Sequence, residues 1–188
     1  MDHFEIEAVL ATPENVAPFG HYIGAAPGVP VFTEWPGTVV HGTLPIELDT
    51  GGEMLLVTAD ARPFPVQCGL IERHFKHTQT YLPFNGKSFV MVLGEAGEAD
   101  VPDYAALRAM LFCGAGIILH KGIWHDFPYA IEDATQFAVA LRSEAHVNTD
   151  AAPAYPMDAD GPDLQRREIR PRAAIFTRMP DTLLRTAR

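Results

Sequence analysis

The stretch Glu72-Arg73-His74-Phe75-Lys76-His77-Thr78-Gln79, with six residues between its end and Gly86, is the part of the sequence that decides the fold. A second stretch, His120-Lys121-Gly122-Ile123-Trp124-His125, lies some 40 residues further along. Both lie where a predicted strand meets a turn. Glu72 and His74 are two residues apart, so their side chains point to one face of a strand. Because polar groups gather at the mouths of β-barrels, the two stretches predict one functional site in a β-rich fold.

The two stretches resemble the paired motifs of the cupin superfamily. Those motifs supply two histidines one residue apart, a later glutamate and glycine, and a final histidine after proline-x-glycine-x-x. The matching positions here are Glu72, His74, Gln79 and His125, and His120 replaces the proline. Nitrogen and oxygen donors of this kind suit a divalent metal such as Mn, Fe, Ni or Zn. Because Gln79 is a weak neutral donor, a site that works without metal stays open.

The rest of the chain predicts an all-β fold, a cupin-like β-barrel with a few short peripheral helices. The predicted strands cover residues 38–42, 43–48, 53–59, 67–74, 78–83, 88–93, 115–119, 124–131 and 135–141. Asn85-Gly86 is a tight-turn signal and predicts that the strands on either side form a hairpin.

Two helices are predicted around this barrel. Thr12-Pro13-Glu14 offers an N-cap and a proline at the first turn, which predicts a short helix ending near Phe19. Tyr104, Leu107 and Met110 recur at helical spacing and predict a second helix over residues 103–112.

A change of composition near residue 150 divides the chain. Residues 1–150 are predicted to form the catalytic barrel, and residues 151–188 a loop-rich C-terminal extension that docks on the barrel or on a partner. The extension carries a basic run with Arg166, Arg167, Arg170 and Arg172.

Composition restricts the classes of partner. The 188-residue chain has 14 basic and 24 acidic residues and a formal net charge of −10, which argues against nucleic acid and anionic membranes as partners. Two cysteines are too few for a disulfide scaffold, and no apolar run is long enough to span a bilayer. With an acidic N-terminal segment, these features predict a cytoplasmic protein.

Residues 5–143 show a closer resemblance, to the ureidoglycolate lyase family. It rests on the first motif, on Leu82-Pro83 and Gly86 after it, and on the second motif with its Trp124-His125 pair. The resemblance implies a homodimeric barrel that releases urea from ureidoglycolate and leaves glyoxylate. The chain departs from the family at Asp126, where a second histidine is usual, and only Arg62 loosely matches an arginine upstream.

The motif positions suggest a division of roles. His120 is the expected general base, because it replaces the motif's proline beside the site and is not needed as a ligand. Lys121 is expected to bind the substrate carboxylate, and His125 to serve both in catalysis and as a ligand. The expected substrate contacts are Arg73, Trp124 and His41. The alternatives are another metal-dependent cupin enzyme, a dioxygenase or isomerase, and a non-catalytic cupin that binds a small molecule.

Overall fold

The computed structural model describes residues 1–24, 43–49, 51–143 and 158–186. The strands are β1 (Asp2–Leu10), β2 (Gly20–Ile23), β3 (Gly52–Ala59), β4 (Val66–Cys68), β5 (Leu70–Arg73), β6 (Gln79–Pro83), β7 (Phe89–Gly94), β8 (Arg108–Phe112), β9 (Gly116–Leu119), β10 (Trp124–His125), β11 (Tyr129–Ala130), β12 (Thr135–Arg142), β13 (Ala159–Asp160), β14 (Gln165–Glu168) and β15 (Ala173–Arg178). The helices are α1 (Pro13–Val16), α2 (Asp181–Thr186) and a 3-10 turn at Tyr104–Ala106. None of the helices in these ranges has the length and hydropathy of a membrane span.

The strands form two sheets. The larger has the order β13-β14-β5-β10-β7-β8-β1-β15-β4, with β11 also paired to β7, and the smaller has the order β2-β9-β6-β12-β3. Side chains of both sheets share one apolar core, to which β7 gives Met91, β9 gives Ile117 and β12 gives Phe137. The predicted all-β fold is confirmed, and the curled larger sheet facing a second sheet fits the cupin-like barrel.

A second core lies on the opposite face of the larger sheet. Successive side chains of β8 alternate between the two cores: Ala109 and Leu111 enter the second core, and Met110 and Phe112 enter the first. The helix predicted over residues 103–112 is therefore wrong. A strand buried on both faces is a continuous apolar run, which periodicity does not distinguish from a buried helix.

The predicted hairpin over residues 78–93 is also wrong. β6 pairs with β9 and β12 in the smaller sheet, whereas β7 pairs with β8, β10 and β11 in the larger one. The turn at Asn85-Gly86 does exist, and Gly86 has a φ of 73°, which glycine tolerates best. It carries the chain from one sheet to the other instead of folding it back on its neighbour.

Near the N-terminus the structure agrees more closely with the sequence prediction. Thr12 caps α1 in a reciprocal capping box with Asn15, as the helix prediction requires, although the helix ends at Val16.

Residues 43–48 form no strand, contrary to expectation. The strand predicted over residues 38–42 lies outside the described residues.

The C-terminal segment belongs to the larger sheet. β14 pairs antiparallel with β5, and β15 pairs with both β1 and β4. The sequence predicts loops here, but residues 158–186 contribute three strands and a helix. The domain boundary near residue 150 falls among residues that the structure does not describe, so it stays a prediction. Because β14 lies directly beside β5, the C-terminal segment is adjacent to the first motif.

Candidate functional site

The two sequence motifs meet at neighbouring strands. His125 on β10 is the antiparallel partner of Glu72 on β5. The turn before β10 is tied to the end of the first motif, because the Gly122 N–H donates a 2.6 Å hydrogen bond to the His74 carbonyl oxygen. Gly122 has a φ of 81°, a conformation that side chains with a Cβ rarely adopt. The glycine of the second motif thus permits the contact that brings the motifs together.

Three potential ligand atoms converge where the motifs meet. The Nε2 atoms of His74 and His125 lie 3.7 and 3.9 Å from the Oε1 atom of Glu72. All three ligand atoms lie within 4.8 Å of one another. Both Nε2 atoms are buried and have no hydrogen-bond partner in the part of the chain that the structure describes. A bound cation would satisfy buried nitrogen atoms of this kind.

The fourth predicted ligand, Gln79, comes from the smaller sheet. It lies two residues before Tyr81 on β6, so the two side chains share a face of the strand. The Tyr81 ring contacts the ring of His125, with the centroids 5.9 Å apart. The Oε1 atom of Gln79 is buried and has no hydrogen-bond partner among the described residues. Strand alternation therefore places the Gln79 side chain on the inner face of β6, toward Glu72, His74 and His125.

Hydrogen bonds fix the tautomers of both imidazoles. The Nδ1 atom of His74 lies 3.0 Å from the carbonyl oxygen of Asp163, and that of His125 lies 3.0 Å from the carbonyl oxygen of Ile123. A carbonyl oxygen only accepts hydrogen bonds, so this network assigns the proton of each neutral ring to Nδ1. Each Nε2 atom then presents a lone pair toward the Oε1 atom of Glu72, which is the arrangement of a metal ligand.

The pKa values of Glu72 and His125 favour an ionised carboxylate and a neutral ring. Burial alone would raise the pKa of the Glu72 carboxyl, but the neighbouring His74, His125 and Arg166 lower it to about 2. Burial lowers the pKa of His125 to about 4. At neutral pH the carboxylate is therefore charged and the His125 ring is neutral, and these are the protonation states that bind a metal ion.

A cavity of about 200 Å³ opens beside Glu72. Its walls combine the charged side chains of Glu72, Asp126, Arg62 and Arg166 with the rings of Phe127 and Tyr129. Burial raises the pKa of the Asp126 carboxyl to about 6. A small cavity that holds two guanidinium groups near carboxylates suits a small polar anion such as a hydroxy acid.

Several predicted substrate contacts lie away from this cavity. Arg73 and Trp124 contact each other, with the guanidinium carbon 4.3 Å from the centre of the indole ring. They occupy the opposite faces of β5 and β10 from Glu72 and His125, because side chains alternate along a strand. Arg73 also donates to the carbonyl oxygens of Gly97 and Ala99. The structure does not bring these two residues together with Glu72, His74 and His125. Substrate contact by Arg73 and Trp124 stays a prediction.

The predicted base, His120, and its neighbour Lys121 contact residues outside the cavity lining. His120 is partly buried, and its ring lies edge-on to the ring of His21 at 4.8 Å between centroids. Lys121 forms an ion pair, with its Nζ atom 2.6 Å from Glu47. His41 lies outside the described residues. The roles predicted for these residues also stay predictions.

Sequence reasoning missed two residues that the structure places at the site. Asp163 and Arg166 come from the C-terminal segment and contact His74 and Glu72. The basic run that contains Arg166 is visible in the sequence, but the strand Gln165-Arg166-Arg167-Glu168 is too polar to resemble a buried one. A third residue, Arg62, is only a loose match to the family pattern, and it lines the cavity.

In comparisons with known proteins, the matching family model and the relatives carry the same name. The family model described as "Ureidoglycolate lyase" matches residues 4–157. A protein of Pseudomonas fluorescens (strain Pf0-1) named ureidoglycolate lyase is 32% identical over 145 residues, which cover 74% of this chain and 85% of the relative. A protein of the same name from Pseudomonas syringae pv. tomato is 30% identical over 145 residues, 74% of this chain and 84% of the relative.

A shorter alignment is more similar. It joins this chain to a Pseudomonas syringae pv. syringae protein of the same name, at 37% identity over 93 residues. That alignment covers 49% of this chain and 54% of the relative, so in it the chain spans about half the length of the relative.

Proposed function

Because this chain belongs to the ureidoglycolate lyase family, we propose that it is a carbon–nitrogen lyase that releases urea from ureidoglycolate and leaves glyoxylate. One observation of the structure supports the proposal most: two imidazole nitrogens converge on the carboxylate of Glu72, and Glu72 also lines a small cavity together with two arginines. The substrate is a small hydroxy acid, and this cavity offers cations for its carboxylate and acceptors for its hydroxyl group.

The reaction needs two proton transfers and no net oxidation. A base removes the hydroxyl proton, the C–O bond becomes a carbonyl, and the electron pair of the breaking C–N bond moves to the urea nitrogen. A proton delivered to that nitrogen completes urea. Acid–base catalysis by positioned side chains contributes roughly 10²–10⁴-fold to such steps.

The residues present fit a divalent metal ion. His74, His125 and Glu72 would hold it through Nε2, Nε2 and Oε1, and Gln79 would add its amide oxygen. A bound metal ion would supply Lewis-acid stabilisation of the negative charge that develops on the substrate oxygen. The protein orients both rings for this purpose through their Nδ1–H groups, which is the usual way in which a fold prepares histidine ligands.

Arg62 is the cation best placed for the substrate carboxylate. Its side chain lines the cavity, and its guanidinium carbon lies 5.5 Å from the centre of the Tyr129 ring, a contact that orients the group. The sequence predicts Lys121 in this role, but its ammonium group is paired with Glu47. For the base we retain His120, which is partly buried two residues before the Gly122 turn that contacts His74.

The proposed enzyme acts as a homodimer. Met54 and Leu56 of β3 are 64% and 73% exposed, and they lie on the outer face of the smaller sheet. Leu56 pairs with Ala138, which pairs with Leu82 on the next strand, so an apolar row crosses three strands. An exposed apolar face of this kind is a typical subunit interface, and a second copy of this chain is the partner that we propose.

The proposal also covers the cellular location and the partners of the protein. We place the protein in the cytoplasm, since both cysteines are free thiols. With a net charge of −10, we expect neither nucleic acid nor membrane as a partner. Its partner besides the second subunit is the small-molecule substrate.

The test is to incubate the purified protein with ureidoglycolate and to measure urea and glyoxylate, with and without added Mn²⁺ or Zn²⁺. Equal amounts of the two products are expected. Oxygen uptake with the metal-loaded protein would favour the dioxygenase alternative. Thermal stabilisation by ureidoglycolate without turnover would favour a binding protein.

A further inference from the structure

The segment from Asp158 to Glu168 lies beyond residues 4–157, which the family model matches. It nevertheless reaches the candidate site, because β14 pairs with β5 in a register that places Arg166 opposite Glu72. A turn precedes β14, in which the Gly161 N–H donates to the Leu164 carbonyl oxygen. Asp163, in that turn, is fully buried.

Asp163 organises the end of the first motif. Its Oδ1 atom accepts hydrogen bonds from the backbone N–H groups of Phe75 and Lys76, at 2.9 and 2.6 Å. Its Oδ2 atom lies 2.7 Å from the Nδ1 atom of His77, and its carbonyl oxygen accepts from the Nδ1 atom of His74. One residue of the C-terminal segment thus binds four groups of the turn that carries His74.

The group His74, His77 and Asp163 also has the spacing of a metal site. Both carboxylate oxygens of Asp163 and the Nδ1 atoms of both rings take part in hydrogen bonds, whereas the Nε2 atoms of the two rings have no hydrogen-bond partner among the described residues. The arrangement therefore holds the turn in place and orients His74 toward Glu72.

Arg166 contacts Glu72, the other residue of the first motif whose ligand atom converges with that of His125. Its Nε atom donates a 3.0 Å hydrogen bond to the Oε2 atom of Glu72, and its Nη2 atom lies 3.0 Å from the same oxygen. The Glu72 carboxylate is held by one oxygen, which leaves Oε1 directed at the Nε2 atoms of His74 and His125. A charge-assisted contact of this kind fixes the rotation of the carboxylate.

We propose that Asp163 and Arg166 are positioning residues of the site, so that the C-terminal segment completes it by holding His74 and Glu72 in the geometry in which their ligand atoms converge. The proposal rests on the proposed function only where turnover of ureidoglycolate is the readout. Its other readouts are the ring NMR signals of His74 and His77 and the affinity for a metal ion.

The experiment compares Asp163→Asn and Arg166→Gln with wild type. The asparagine side chain keeps the shape and an acceptor oxygen, but its amide donor opposes the Nδ1–H group of His77. The glutamine side chain keeps a donor but loses the charge and the two-nitrogen contact. Asp158→Asn and Arg172→Gln are matched controls, because these two residues form an exposed ion pair in the same segment, and Asp158 also accepts from a backbone N–H.

Melting curves first establish that each variant folds. We expect Asp163→Asn and Arg166→Gln to lose roughly 10–100-fold in turnover and in Zn²⁺ or Mn²⁺ affinity, the range typical of residues that orient metal ligands. The controls should keep wild-type values, and Arg166→Lys should recover part of the loss. Folded variants with wild-type turnover and metal affinity would overturn the proposal.

Nitrogen NMR of the histidine rings separates this proposal from the proposed function. Wild type should show His74 and His77 each as a single Nδ1–H tautomer. Asp163→Asn keeps the backbone carbonyl that accepts from His74, so its direct effect should be on the tautomer of His77, whose Nδ1–H group the new amide opposes. The loss of that contact should displace the turn and change the His74 signals as well, whether or not the protein acts on ureidoglycolate. If wild type is inert on ureidoglycolate but the His74 signals change in this way, the substrate assignment fails and the positioning role stands. Unchanged His74 signals in the folded Asp163→Asn variant would refute the role of Asp163.

Discussion

His125 lies directly opposite Glu72 in the antiparallel pair formed by β10 and β5, and this pairing is what joins the two sequence motifs. A one-residue shift in the register would turn His125 to the other face of the larger sheet, where Trp124 now lies. The site therefore depends on the register of a two-residue strand. The Gly122–His74 hydrogen bond ties the turn before β10 to the end of β5, and on the other side of β5 the Arg166–Glu72 contact holds the Glu72 carboxylate.

The first prediction concerns His125→Ala. The change removes one of the three converging ligand atoms and leaves a small buried cavity. We expect turnover to fall roughly 10²-fold or more, and the free energy of unfolding to fall by only about 1–3 kcal/mol. Turnover, metal content and melting curves check this, with the exposed His3→Ala as control. A variant that melts earlier but keeps normal turnover per folded molecule would mean that His125 is purely structural.

The second prediction concerns Gln79→Glu, which exchanges a neutral amide oxygen for a carboxylate at the fourth ligand position. Since a carboxylate is the stronger donor for Mn²⁺, we expect tighter Mn²⁺ binding, by roughly 10-fold or more. Calorimetric titration of the two proteins with Mn²⁺ measures the difference. Unchanged affinity would place the Gln79 side chain away from the metal ion.

Much of this arrangement could be predicted from the sequence, because it depends on local rules. Alternation along a strand places Glu72 and His74 on one face, and the left-handed turn at Gly122 requires a glycine. The all-β class is predicted by many short apolar runs separated by turns. The strand over residues 108–112 was missed because its burial on both faces is a tertiary property.

The C-terminal contribution could not be predicted for a different reason. β14 is rich in charge, and a charged strand becomes stable inside a protein only when partners from other segments neutralise it. Arg167 contacts Asp100 and Asp160, and Arg166 contacts Glu72. Those partners are mostly distant in sequence, so the basic run alone resembles an exposed tail.

The third prediction concerns pH and Asp126. Burial raises the pKa of this carboxyl from 3.8 to about 6, so between these values the folded state binds a proton more tightly than the unfolded chain does. The contribution of Asp126 to stability is therefore greatest at low pH and is lost as the pH rises through about 6. The shift corresponds to about 3 kcal/mol.

The variant Asp126→Asn lacks this titration. We expect its free energy of unfolding, relative to wild type, to increase by up to about 3 kcal/mol between pH 4 and pH 7.5. Because the low pKa of His125 affects both proteins alike, it cancels in the difference. Urea denaturation at several pH values measures it, with Asp181→Asn as a control that removes an exposed carboxyl group. A difference that does not change with pH would show that Asp126 is not destabilised by burial.

The fourth prediction concerns the subunit interface. Leu56→Lys places a charge at the β3 end of the exposed apolar row on the smaller sheet. If this face joins two copies of the chain, the variant should be a folded monomer at micromolar concentration, where wild type is a dimer. Light scattering measures the mass. Phe75→Lys, at an exposed apolar residue in the turn after β5, controls for the charge itself. A wild-type monomer would refute the dimer, and a dimeric Leu56→Lys variant would move the interface elsewhere.

The fifth prediction separates the two candidate cations for the substrate carboxylate. Arg62 lines the cavity beside Glu72, whereas the ammonium group of Lys121 is paired with Glu47. A cation that binds the carboxylate equally in the ground state and the transition state contributes to KM and leaves kcat unchanged. We therefore expect Arg62→Ala to raise KM for ureidoglycolate roughly 10–100-fold with a small change in kcat, since charge-assisted hydrogen bonds contribute about 1.5–3 kcal/mol. Lys121→Ala should leave KM within about 2-fold of wild type, because an exposed ion pair contributes little. Steady-state kinetics on both variants checks the expectation, and the reverse pattern would assign the carboxylate to Lys121.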